Sequence, residues 1–408
     1  MLSRHLRSST GLLAALLLVA ATSAHADVVV DANARAAEIT SRHPATPISV
    51  RMMAIVQVSV FEAVNAITGK YPAFRAKLAP APGASVDAAV AAATRTALLK
   101  LFPAQHTAIE ADYRAALTAL PDGPGKTQGI AVGERAADQI VAMCADDGFN
   151  ASVAYRPAAA PGTYAPTMLP AVPHWGKRRP WLLARGDQFR PGPPPALTSE
   201  TWRRDYEEIK AIGGRNSTVR TPEQTAIAKF WEATAPAVYW PVARSVAAVP
   251  GRDVTENARL FAVAGMAMDD ALIAVFDAKY HYNFWRPITA IRNGRDGQDV
   301  ATADPTWTPF IDTPMHPEYP CAHCIVSSSL GAVLEEEIGK GPSPKLSSSS
   351  AMAPGAVRTW LAVNEFTREV AEARIYDGVH YRNSTVVGST MGKKIGEHAV
   401  QTFPKPVK

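Results

Sequence analysis

Three short segments in the C-terminal half concentrate charged and titratable side chains that a helical core would otherwise exclude. They are Lys279-Tyr280-His281-Tyr282-Asn283-Phe284-Trp285-Arg286-Pro287, His316-Pro317-Glu318-Tyr319-Pro320-Cys321-Ala322-His323 and Arg374-Ile375-Tyr376-Asp377-Gly378-Val379-His380-Tyr381-Arg382. Lys279, Arg286 and Arg374 supply permanent cations, and His323 and His380 supply groups that titrate near neutral pH. A helix starting near residue 322 would add free backbone N–H groups, that of Ala322 among them, and the positive end of its dipole. Guanidinium groups meet tetrahedral oxyanions in forked geometry and an ammonium adds a compact point charge, so the natural guest is phosphate or an analogue. A His inside such a cluster is held neutral, and is then available as a nucleophile or as a ligand to a metal oxide. Each piece alone is what a helix end often carries. The ordered set Lys-x6-Arg-Pro, Pro-x-x-His and Arg-x5-His between Lys279 and His380 is what points to a site.

This set resembles the signature of the type 2 phosphatidic acid phosphatase and vanadium-dependent haloperoxidase superfamily, which reads Lys-x6-Arg-Pro, Pro-Ser-Gly-His and Ser-Arg-x5-His. The resemblance implies that Lys279, Arg286 and Arg374 hold the equatorial oxygens of vanadate or phosphate. It makes His380 the covalent link, as vanadium ligand in a haloperoxidase or as phosphorylated nucleophile in an acid phosphatase. It makes His323 the acid/base group. His316 matches a position that is His in bromoperoxidases and Phe in fungal chloroperoxidases, which favours bromide or iodide chemistry. The mature length fits two-bundle haloperoxidase-like members better than one-bundle phosphatases. The expected activity is thus peroxide-dependent halide oxidation at a His-bound vanadate. Phosphomonoester hydrolysis through a phosphohistidine is the alternative, and a non-catalytic or thiol-redox member is a third.

The chain departs from the signature at three positions, with Cys321, Ala322 and Ala373 in place of Ser, Gly and Ser. A thiol donates a weaker hydrogen bond than a hydroxyl, whereas Ala322 can still offer its N–H to the anion. Cys321 and Cys324 have C-x-x-C spacing. A structural disulfide or free thiols is the first reading, a redox couple the second, and a zinc site with His316 or His323 the third. Asp270 and Asp277, seven apart on the helix leading to Lys279, share a face and could brace an active-site Arg. Asp377, three residues before His380, must point away from a bound anion or pair with Arg382. Phe284, Trp285 and Tyr282 read as pocket wall and core.

The elements that carry these segments are helical, because apolar residues recur every three to four positions with little strict alternation. Helices are expected at Ile48–Ile67, Ser85–Leu101, Ala104–Leu120, Lys126–Cys144, Ser199–Ile212, Thr221–Thr234, Thr255–Ala278, Cys324–Ile338, Gly355–Ala371 and Thr385–Phe403. Ser199 is an N-cap candidate and Thr221-x-x-Gln224 a capping box. The only strand candidates are short, such as Asp27–Val30, so the fold class is all-α, built of helical bundles in the two-bundle haloperoxidase-like manner. The boundaries expected are a bundle over 27–150, a Pro-rich wrapping segment over 151–197 and a second bundle with the oxyanion site over 198–408.

With 47% apolar and 19% charged residues, the 408-residue chain has a globular composition, and three Cys are too few for a disulfide scaffold. Arg4 and Arg7, the apolar run Gly11–Ala21 and Ala24-His25-Ala26 read as a secretory signal peptide over 1–26, giving an exported protein, periplasmic or extracellular. Its removal leaves 40 basic against 37 acidic residues, a charge of +3. There is no basic run suited to nucleic acid or membrane surfaces, so the expected partners are small molecules: peroxide, and halide or a phosphoester. An oligomer is allowed by the sequence.

Overall fold

The computed structural model describes residues 27–407 other than 167, 234 and 235, so the expected signal peptide over 1–26 lies outside the described residues. Thirteen α-helices and one hairpin appear among them. The order is α1 (Val28–Thr40), α2 (Thr46–Thr68), α3 (Val86–Leu101), α4 (His106–Thr118), α5 (Pro124–Met143), α6 (Glu200–Ile212), α7 (Pro222–Glu232), α8 (Trp240–Ala247), α9 (Val254–Tyr282), α10 (Pro287–Asn293), α11 (Ala322–Ile338), β1 (Leu346–Ser350), β2 (Ala353–Trp360), α12 (Val363–Tyr376) and α13 (Arg382–Thr402). The all-α expectation holds. Ser199 caps α6 by accepting the Trp202 N–H, and the Thr221–Gln224 capping box opens α7.

Two expectations are corrected. Asp27–Val30 is not a strand: the Asp27 side chain accepts the Val29 N–H at 2.9 Å and caps α1, and this cap outweighs the β preference of three valines. Gly355–Ala371 is not one helix either. Its first part is β2, antiparallel to β1, with Leu346 opposite Trp360, and α12 starts only at Val363. Pro354 and Gly355 disfavour helix there, while Val357, Thr359 and Trp360 suit a strand. The short helices α8 and α10 were not expected; each has Pro in its first turn, where the missing N–H costs nothing.

Helix α9 is the axis of the molecule. It is apolar on almost every face and packs on α2 on one side and on α11 and α13 on another, so one apolar core runs from α1 to α13. Helix α2 is long and apolar enough to cross a membrane, and its apolar window is buried inside this core. The Pro-rich segment is fastened along α9 by a buried charge network. Arg178 donates to Asp269 at 2.9 and 3.2 Å and to Asp147 at 2.6 Å, and Asp147 also accepts Arg51 Nε of α2 at 2.8 Å. Further along, Arg190 grips Asp277 with two bonds at 2.7 and 2.9 Å. Near the end of α9 the segment turns strand-like: Tyr164 N–H donates to Asn283 O and Trp285 N–H to Gly162 O.

Because Arg178 is buried and removing it leaves Asp269 without a cation and Asp147 with Arg51 alone, Arg178→Met should cost about 3–5 kcal/mol. The exposed pair Arg185–Asp187 should matter by about 1 kcal/mol or less when Arg185 is changed the same way. Urea unfolding of the two variants beside wild type checks both values.

Candidate active site

The site lies where the C-terminal end of α9, the N-terminal end of α11 and the turn between α12 and α13 converge. Lys279 sits in the last turn of α9, is fully buried, and donates Nζ to the carbonyls of Pro317 (2.9 Å) and Glu318 (2.7 Å). Arg286 follows the left-handed cap at Asn283 and is buried too. Its Nε donates to His316 O at 2.9 Å and its Nη1 to Val379 O at 2.8 Å. Its Nη2 donates to His316 Nδ1 at 3.0 Å, and Nη1 stands 3.3 Å from His380 Nε2. Arg374, in the last turn of α12, donates to Trp231 O at 3.1 Å and pairs with Asp377 at 2.5 Å.

His380 is the hub. Its Nδ1 is 2.7 Å from Glu318 Oε1, which also accepts the Tyr381 N–H at 3.2 Å. A carboxylate on Nδ1 and a guanidinium on Nε2 permit one neutral tautomer, with the proton on Nδ1 and the lone pair of Nε2 facing the cations. His316 Nδ1 stands 3.0 Å from Arg286 Nη2 and 3.2 Å from Pro317 O, and the shorter guanidinium contact favours the proton on Nε2.

The electrostatics agree with this assignment. Burial, then Arg286 and Lys279, hold the His380 ring well below the usual imidazole range. Burial and the same two cations act alike on His316, and burial with Arg374 and Lys279 acts on His323. Burial and Arg286 push the Lys279 ammonium well down, and burial brings Arg286 down to about 10. Burial also lifts Glu318 and Asp377 to about 7, against the pull of the neighbouring cations. Positive charge is therefore in excess.

The residue beside each key group is an aromatic wedge in a second apolar cluster. Trp285 precedes Arg286, Tyr319 follows Glu318 and Tyr381 follows His380, and all three pack with Trp202 and Phe284. Trp202 stacks on Trp285 at 5.9 Å and meets Tyr381 edge-on at 4.8 Å. Phe284 and Trp285 are thus core, as expected, and Tyr282 packs on the cluster edge. Gly378, at φ +78°, makes the tight turn before His380, and a Cβ there would lie 2.2 Å from Gly213 O.

Of the residues singled out by sequence, Lys279, Arg286, Arg374, His316, His323 and His380 are brought together. Ala322 opens α11 with Cys321 as its N-cap, and Cys321 and Cys324 form a disulfide. Among the described residues no group of three or more His, Cys, Asp or Glu is disposed to bind a metal ion, so the zinc reading of this pair is set aside. Asp270 does not brace an active-site Arg: its carboxylate accepts the N–H groups of Trp181, Leu182 and Leu183 at 2.7–3.0 Å and holds the Pro-rich segment. Asp277 likewise serves Arg190. Asp377 pairs with Arg374 instead of Arg382, which is taken by Glu208 and Glu372. Glu318, which orients His380, has no local spacing in the sequence that signals this role.

Several buried polar atoms in this cluster lack partners: Arg374 Nε, His323 Nε2 and Glu318 Oε2. Two of them can donate to an oxyanion, which together with the excess of cations fits phosphate or vanadate. An all-α bundle that buries three basic side chains around an imidazole is suited to hold an oxyanion. Residues 259–408 match the VCPO second helical-bundle domain family. Vanadium chloroperoxidase of Curvularia inaequalis is 28% identical over 185 residues, a stretch that is 37% of this chain and 30% of that enzyme's length. The fold is shared with a bacterial vanadium-dependent iodoperoxidase, at a TM-score of 0.79 and 26% identity over 92% of this chain and 96% of that one. It is also shared with a holo-type bacterial vanadium-dependent chloroperoxidase, at 0.71 and 17% identity over 90% and 95%. The C-terminal part of the chain thus matches the family that its motifs indicated, and the chain as a whole shares its fold with vanadium haloperoxidases.

Two outcomes follow for the anion-free protein. An ordinary imidazole is about nine-tenths charged at pH 5.5. The rings of His316, His323 and His380 should stay neutral there, and tungstate should raise the pKa values of His316 and His323 by cancelling the cations, as 15N-detected imidazole NMR would read. Glu318→Ala, which frees Nδ1, should weaken tungstate binding roughly tenfold, about 1.4 kcal/mol. Glu318→Gln keeps an acceptor for Nδ1 and should leave affinity within about threefold, roughly 0.6 kcal/mol; calorimetric titration distinguishes the two.

Proposed function

We propose that the chain is an exported vanadate-dependent haloperoxidase that oxidises halide, bromide or iodide before chloride, with hydrogen peroxide. The observation that carries this reading is His380, its Nδ1 held by Glu318 and its Nε2 turned toward Arg286 among the buried Lys279, Arg286 and Arg374. Bound vanadate would supply a Lewis-acidic oxide on which peroxide is activated for two-electron oxidation. Lys279, Arg286 and Arg374 would hold its oxygens and offset their charge, and the Ala322 N–H at the start of α11 would add a donor. His380 would be the vanadium ligand. His323, whose Nε2 has no protein partner, would take and return the proton of the oxygen that leaves or enters.

His316 supports the halide preference. It stands edge-on to Phe276 at 5.2 Å and is tied to Arg286, which places an imidazole beside an aromatic face where a polarisable halide could sit. The likeness to an iodoperoxidase over nearly the whole chain supports the same choice. Export is supported by the apolar segment Gly11–Ala21 and by the disulfide, which suits an oxidising compartment.

Purified protein, with and without orthovanadate, should be assayed in parallel for peroxide-dependent bromination of a phenol dye and for phosphomonoester hydrolysis. Vanadate-dependent bromination that His380→Ala abolishes is expected. Hydrolysis inhibited by vanadate, without bromination, would instead make the chain an acid phosphatase working through a phosphohistidine.

A further inference from the structure

The cradle contains a covalent bond where the superfamily signature has a hydroxyl. Cys321 is the N-cap of α11 and Cys324 its third residue, so the disulfide closes the first turn of the helix around Ala322 and His323. Cys321 Sγ also accepts the Cys324 N–H at 3.2 Å, the bond that an N-cap oxygen would normally make. Both cysteines are fully buried.

Cys321 also adds a contact between the two histidine-bearing segments, beside the one made by Glu318. Cys321 N–H donates to Ser384 O on α13 at 3.2 Å, and Ser384 Oγ lies 3.5 Å from His380 Nδ1. One turn further along α13, Gly388 packs directly on the bridged pair: a Cβ there would sit 2.7 Å from Cys321 O and 3.2 Å from Cys324 Cβ. A chain of contacts therefore runs from His323 through the bridge and the start of α13 to His380.

We infer that the Cys321–Cys324 disulfide is a positioning element of the oxyanion site, and that breaking it lowers the site's affinity for the anion. The bridge fixes the turn that presents the Ala322 N–H and the His323 ring, so less order has to be gained when the anion binds. It has a second chemical consequence, which rests on the peroxidase reading above. A thiolate beside peroxide would be oxidised to sulfenic acid and beyond, whereas joined sulfurs present no thiolate to attack. Reduction by a phosphine is balanced: the S–S bond breaks, two S–H bonds form, and the phosphine takes an oxygen from water to become its oxide.

The test uses tungstate, an oxyanion that a phosphine does not reduce, and the full mature chain in two states. Alkylation after denaturation should count one thiol, Cys144, in protein purified in air, and three after phosphine treatment. Calorimetry should then give at least fivefold weaker tungstate binding for the three-thiol form, with unchanged far-ultraviolet circular dichroism. Amide hydrogen exchange over residues 322–326 should be faster in that form without any anion. The double variant Cys321→Ser/Cys324→Ser, which keeps an N-cap acceptor but no bond, should match the three-thiol protein in both readouts. Equal affinity and equal exchange in the two states would overturn the inference and leave the haloperoxidase reading standing, as would three thiols in air-purified protein. No tungstate binding by the disulfide form would overturn both.

Discussion

Burying Lys279, Arg286 and Arg374 together sets the terms for everything around them. They face two carboxylates, Glu318 and Asp377, both of which burial draws toward neutrality. Charges in a low-dielectric interior repel strongly at short range, and unpaired ions there carry a large desolvation cost. The fold meets that cost partly with carbonyl oxygens, partly with the two acids, and otherwise leaves it for an anion to offset. Burial and the same field keep the three histidine rings neutral, so the property that makes the site attractive to an oxyanion also suits the roles proposed for His380 and His323.

Such a strained arrangement needs rigid support. Helix α9 provides it, buried along most of its length and fixed by α2, α11 and α13. The Pro-rich segment adds a second constraint from outside, since Asp269, Asp270 and Asp277 turn one side of α9 into an anchor for it. The aromatic cluster around Trp202 supplies the third. Each of its wedges, Trp285, Tyr319 and Tyr381, is next in sequence to a group that touches the site, so packing energy is converted into positional accuracy within one peptide unit.

The sequence disclosed the cradle because its chemistry depends on residue types at fixed local spacing. Lys279 and Arg286 straddle a helix end, and Ala322 and His323 start another. It disclosed less where partners are remote. Glu318 is 62 residues from the His380 ring it orients, and no spacing rule connects them. Asp270 and Asp277 do share a helix face, as their separation indicated, but that face meets the Pro-rich segment and not the cations, a choice made by tertiary packing. Asp377 illustrates a nearer miss: Arg374 lies one turn earlier on the same helix end and takes the contact that might have gone to Arg382. The β1–β2 hairpin escaped notice because most of β2 is exposed, so it carries little apolar periodicity to read.

The cations are aimed chiefly by main-chain oxygens: Lys279 by Pro317 and Glu318, Arg286 by His316 and Val379, Arg374 by Trp231. A carbonyl keeps its place whatever side chain its residue bears, but moves when the chain is lengthened or shortened. The carbonyls of Pro317 and Val379 in the turns over 314–321 and 374–381 therefore depend more on the length of the turn than on the side chains those two residues bear.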